Sequence, residues 1–117
     1  MALDGNPIGN HGVAALAAPL RTLPALELLG LVGCEVSDAG VASLFANLGK
    51  DDFRALARPA IARNRITDGG MVTLLAALEA GGLPKLVNHY IDLLADNPAS
   101  AAAVTAVHDA LVKRRSQ

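Results

Sequence analysis

Three histidines (His11, His89 and His108) and a single cysteine, Cys34, are the side chains of this 117-residue chain best suited to chemistry. A Cys–His pair would generate a thiolate nucleophile, which requires the base within hydrogen-bonding reach of the sulfur. A metal site would instead need three or four of His, Cys, Asp and Glu to converge. The acidic residues stand singly apart from Asp51 and Asp52, whose segment GKDDF reads as a solvated loop. The glycines of GNPIGNHG lack the Lys and Ser/Thr that hold phosphate and metal in a phosphate loop, so turn geometry accounts for them. No catalytic, cofactor-binding or metal-binding residue is assigned. The expectation is a protein that is not an enzyme and has no cofactor.

The elements that must position these residues follow from composition and pattern. One domain of this length buries roughly two-thirds of the surface its unfolded chain would expose. The formal net charge of -1 gives no electrostatic footprint for nucleic acid or an anionic membrane surface. Apolar residues make up 52% and charged residues 18%, below the roughly 25% usual for soluble domains. No apolar run approaches the roughly 18 residues of a membrane helix, and the start MALDGNPIGNHG lacks the basic and apolar regions of an export signal. With one cysteine there is no internal disulfide, which points to a reducing, cytoplasmic location. The scarcity of aromatic residues, 3% of the chain, leaves aliphatic and charged groups to carry any partner contact.

The chain repeats itself. LDGNPIGNHGVAALAAPL from Leu3, LVGCEVSDAGVASLFANL from Leu31, IARNRITDGGMVTLLAAL from Ile61 and LADNPASAAAVTAVHDAL from Leu94 share one frame. Its anchor is Asn6, Cys34, Asn64 and Asn97, at spacings of 28, 30 and 33 residues. Two residues later stand Ile8, Val36, Ile66 and Ala99, and six later Gly12, Gly40, Gly70 and Ala103. Ten and fourteen later come Leu16, Leu44, Leu74 and Val107, then Leu20, Leu48, Leu78 and Leu111. Before Cys34, Leu26, Leu29 and Leu31 alternate as in a strand, and Leu56, Pro59 and Ile61 hold those places before Asn64. His89, Asp92 and Leu94 fit poorly before Asn97; a shift of one residue puts Ile91 and Leu93 inside.

Each block therefore predicts a short strand, a tight turn and a helix of about ten to fourteen residues. Ser37-Asp38, Thr67-Asp68 and Ser100 offer oxygens to the exposed N–H groups of a first helical turn. Gly81-Gly82 ends the third helix. Gly40 and Gly70 are expected to let their helices approach the strand layer. Pro59 should break pairing locally, Pro19 should strain the end of the first helix, and Lys113, Arg114 and Arg115 should complement the negative end of the last.

LELLGLVGCEVSDAGVASLFANL and its partner blocks resemble the ribonuclease-inhibitor-like leucine-rich repeat family over nearly the whole chain. The resemblance implies a short right-handed leucine-rich-repeat solenoid of the α/β class. It would hold about four strand-turn-helix units, approximately residues 1–24, 25–52, 53–84 and 85–117, with parallel strands on a concave side and helices on a convex side. It also implies a structural turn ladder of Asn6, Cys34, Asn64 and Asn97, with Cys34 buried and inert.

Strand residues between the inward ones would form a concave partner-binding face of Leu28, Val32, Arg58, Ala60, Ala62, Arg63, Ile91 and Leu93. Arg54, Arg58, Arg63 and Arg65 group around the third strand, with Arg58 and Arg63 flanking the face and suited to an acidic partner. The residues before Asn6 are too few for a full first strand with a polar cap, so the expectation is a chain that is part of a complex or of a longer protein. The function expected is a protein-protein interaction scaffold. An enzyme inhibitor or regulator, and an α/β enzyme or ligand-binding domain whose repeats are coincidental, are the alternatives.

Overall fold

The computed structural model describes residues 1–49, 51–86 and 94–115. In chain order these form α1 (Gly9–Arg21), β1 (Leu28–Gly30), α2 (Asp38–Phe45), β2 (Arg58–Ala60), α3 (Asp68–Glu79) and α4 (Ala101–Arg115). β1 and β2 pair in parallel, with Leu28 opposite Arg58, Leu29 opposite Pro59 and Gly30 opposite Ala60.

The four-unit leucine-rich-repeat solenoid is thereby overturned. The described residues hold four helices and one sheet of two three-residue strands. Ahead of the first turn Met1 and Leu3 hydrogen-bond to Leu28 and Gly30, which makes one isolated bridge, Ala2 with Gly30, and no strand. The segment read as the fourth strand, with His89, Ile91 and Leu93, lies outside the described residues. Alternating leucines specify which side chains turn inward, whereas a sheet needs a run of backbone pairs.

Pro59 does not interrupt β1. Arg58 donates its N–H to Glu27 O and Ala60 O accepts from Leu31 N–H, so the residues on either side of Pro59 make the bonds to β1. The proline nitrogen, one residue out of phase, faces the other edge. Pro19 sits within the last turn of α1, which still runs to Arg21.

Side chains at the repeated inward positions build the core. Leu29, Leu31, Leu56 and Ile61 below the strands meet Val41, Leu44, Met71 and Leu74 from the helices, all fully buried. Phe45 and Phe53, also fully buried, tilt against each other at 5.6 Å between ring centres. That arrangement satisfies the quadrupoles of the only two phenylalanines. α2 is eight residues long and ends before Leu48, which is half-buried beyond it. α3 ends as its glycines require: Gly81, at φ 85°, and Gly82 donate to the carbonyls of Leu78 and Ala77.

Helix starts fall where Ser37, Thr67 and Ser100 placed them, but the hydrogen bonds come from elsewhere. Ser37 and Thr67 make no side-chain cap of their own. Asn10 of α1 accepts from the N–H groups of Ser37 and Gly40 and donates to the Ser37 hydroxyl. Asp38 of α2 accepts from the N–H and hydroxyl of Thr67, and Asp68 of α3 from those of Ser100. Each helix thus caps its successor. The fourth block has Ala101 at the equivalent place, without an acceptor.

This chain of caps explains the glycines differently from the strand-approach reading. A Cβ on Gly40 would lie 2.7 Å from Asn10 Oδ1, and one on Gly70 would lie 2.7 Å from Asp38 Oδ1. Glycine clears both the capping side chain of the preceding helix and the β-branched side chain four residues earlier in its own block, Val36 Cγ1 at 2.7 Å from the one Cβ and Ile66 Cγ2 at 2.5 Å from the other. In α4 the Ala103 N–H turns to the Ser100 hydroxyl instead, at 3.2 Å, and alanine stands in glycine's place.

Candidate functional site

The anchor residues do structural work, unequally shared. Asn64 is buried; its Oδ1 accepts from the N–H groups of Cys34 and Val36, both at 2.9 Å. Its Nδ2 donates to the carbonyls of Leu31, Ile61 and Ala62. Asn97 repeats the pattern one block on, accepting from Asn64 and Ile66 and donating to Ile61, Leu94 and Ala95. Asn6 is exposed and bonds only its own turn, donating to Leu3 O.

Cys34 fills the same place with sulfur. Its Sγ donates to Leu3 O at 3.1 Å and Val32 O at 3.7 Å, the counterparts of two Asn64 acceptors. Burial raises the thiol above its ordinary value, against the pull of the Asn6 and Gly5 N–H groups, with Asp4 adding to the rise. A protonated thiol that is wholly enclosed has no nucleophilic character. His11 is exposed on α1, His108 is half-buried in α4, and His89 lies outside the described residues. Among the described residues no three of His, Cys, Asp and Glu gather into a metal-binding group. Asp52 instead pairs with Arg21 at 2.8 Å.

The outward side of the sheet is where exposed groups of mixed chemistry meet. Leu28 is 40% exposed, an unusual state for a leucine in a strand. Arg58 beside it is exposed, Val32 and Ala60 are half-buried, and Ala62 is buried, so it offers no contact surface. Two strands make a small face and not the concave surface expected, and Ile91 and Leu93, assigned to it from the sequence, lie outside the described residues. An open cleft of about 520 Å³ adjoins the face, lined by Glu27, Leu28, Ala55, Ala57, Arg58 and Lys85. Glu27 and Lys85 escaped the sequence reading because neither occupies a repeat position.

Beyond the strand, Arg63 lies 3.6 Å from Asp96, and Arg65 lies 4.0 Å from Glu35. All four side chains are more than half exposed, so neither pair contributes much to stability. Arg63 stands three residues past β2 with left-handed backbone at φ 56°, and Arg65 is past the turn, in a bridge with Ser37. Asn10 was missed, and Asp38 and Asp68, read as capping oxygens for their own helices, cap the next ones instead; the three share one frame position, where three of four blocks carry an oxygen. Among the described residues no helix is long and apolar enough to cross a membrane. Compared with known proteins, the chain matches no family model, no curated protein and no solved structure.

Proposed function

We propose that this protein is a binding module for another protein chain, and that the partner docks on the outward face of the β1–β2 sheet. The observation that carries the reading is Leu28, a large aliphatic side chain 40% exposed on a strand, lining one open cleft with the charged side chains Glu27, Arg58 and Lys85. An apolar centre with a charged rim is the usual anatomy of a protein interface. The net charge of -1 supports a protein partner over nucleic acid. Cys34, a free thiol, supports extending the proposal to a cytoplasmic location.

Quantitative affinity capture from a native extract tests it, with the wild-type chain, Leu28→Asp and Val72→Asp as baits. Val72 is 62% exposed on α3, away from the sheet, and controls for surface polarity. The expected result is a defined set of proteins retained by wild type and Val72→Asp and lost with Leu28→Asp. A retained set indifferent to Leu28 would sink the reading.

A further inference from the structure

Anchor side chains reach back to the turn of the block before them. Asn64 Oδ1 accepts the N–H of Cys34, and Asn97 Oδ1 accepts the N–H of Asn64. Their Nδ2 groups donate to Leu31 O and Ile61 O in those same earlier blocks. Cys34 Sγ reaches Leu3 O in the same direction. This series has two loose ends. In the first block Asn6 Nδ2 bonds only Leu3 O of its own turn, and among the described residues Asn6 Oδ1 accepts from nothing. In the fourth block the N–H of Asn97 donates to nothing among the described residues.

The apolar positions repeat the mismatch. Leu23, Phe53 and Leu83 begin the same tight turn, each accepting at its carbonyl from the N–H three residues on. Phe53 and Leu83 are fully buried, and Phe53 donates its N–H to Arg21 O at the end of the preceding helix. Leu23 donates to Leu20 O of its own helix and is 40% exposed. Arg21 stands fifteen residues after its anchor, and the residue at that place in the fourth block is Val112, 41% exposed. Because α1 packs on α2, α2 on α3 and α3 on α4, the first and fourth blocks stand at opposite ends of one row.

We propose that this protein associates head to tail with copies of itself, the first block of one copy seated on the fourth block of the next. Asn6 Oδ1 accepts the Asn97 N–H of the neighbouring copy, and Asn6 Nδ2 donates to Leu94 O there. Leu23 covers the last turn of α4 beside Val112. A second copy fits better than an unrelated partner because the two ends also agree in what they lack. Ala101 carries no acceptor for a following helix. Gly9, at the place of Ser37, Thr67 and Ser100, has no hydroxyl to give and already donates its N–H to Cys34 O. The contact joins different surfaces of the two copies, so each addition leaves an end open and association grows with concentration. Neither Leu28 nor the cleft beside it takes part.

Sedimentation velocity across a concentration series tests this. Wild type and Val72→Asp sediment faster as concentration rises. Leu23→Asp removes one end, and Ala101→Arg, at an exposed position, sets a cation against the positive start of the neighbour's α1 at the other. Each of these variants stays monomeric by itself. Mixed, they form a dimer and nothing larger, because one intact head and one intact tail remain. Restoration of the dimer also shows that both variants are folded. Asn6→Ala weakens association roughly fivefold or more, as expected for a lost amide hydrogen bond.

A wild-type chain that is monomeric at every concentration overturns the contact, as does undiminished association of Leu23→Asp, Ala101→Arg or Asn6→Ala. So does a mixture of the two end variants that stays monomeric while circular dichroism finds both folded, since the surfaces would then not be head and tail.

Discussion

Asn64 makes five hydrogen bonds through one buried amide, two accepted and three donated, and these bonds join the turn of the second block to that of the third. Removing them strands the enclosed N–H groups of Cys34 and Val36, each a desolvated donor with no replacement. Asn64→Ala is therefore expected to cost about 3 kcal/mol or more, read from urea denaturation followed by circular dichroism. A cost below about 1 kcal/mol would mean that water enters the turn and replaces the amide. The asparagine positions were legible from their repetition, because a turn that recurs needs the same side chain to fill its acceptors. The inequality among them was not, because Asn6 has the same identity as Asn64 and differs only in what lies beside it.

Arg114 shows the same limit between elements. From the sequence it closes its own helix. In the structure its guanidinium crosses to the end of α3 and donates to the carbonyls of Leu78, Gly82, Leu83 and Leu86. Those carbonyls lie at a helix terminus and in the loop after it, where those of Leu78 and Leu83 also accept a backbone N–H, and a planar five-donor fork can reach four at once. Burial lowers the affinity of this guanidinium for its proton, but an arginine stays charged. Arg114→Met is expected to lose about 2 kcal/mol, and Arg114→Lys to recover only part, since an ammonium cannot reach four carbonyls. Hydrogen exchange localises the effect: the amides of the last turn of α3 should lose protection before those of α1. Uniform loss would show that Arg114 merely fills space.

The molecule as a whole measures 37 × 31 × 21 Å, and its neighbouring helices are tied by side chains that reach from one to the next. Carboxylates make several of the ties between segments, and two of these groups, Asp38 and the loop residue Asp52, have shifted proton affinities. Burial alone would raise the Asp38 carboxyl, but the Thr67 hydroxyl and N–H and the Gly70 N–H outweigh it and hold the group below its ordinary value. Asp52 is held down by the Gly49 N–H and then by Arg21. Both folded-state values are depressed, so their contribution is fully present above the unfolded value of about 3.9 and fades as pH falls through the folded values. The urea midpoint should be level near neutrality and drop below about pH 4. Asp38→Asn should flatten that drop while lowering the neutral midpoint. A midpoint that rises on acidification would contradict the assignment of these ties.

By itself the sequence determined the inward positions, the turn anchors and the helix starts, because side-chain periodicity, turn chemistry and capping oxygens act over a few residues and leave a local trace. Leu29, Leu31, Val36 and Ile66 are buried as their spacing requires. Tertiary structure decided how much of the strand spacing became sheet, and the answer was two short strands instead of the four-unit solenoid that the repeats suggested. It also decided which side chain caps which helix, which residues bear left-handed strain, and that Leu28 and Arg58 share a cleft with Glu27 and Lys85. These outcomes depend on which backbone groups come within bonding distance across 27 to 36 residues of chain. Hydrogen bonds and strain belong to pairs of residues brought together by folding, and a pair has no signature in the identity of either member.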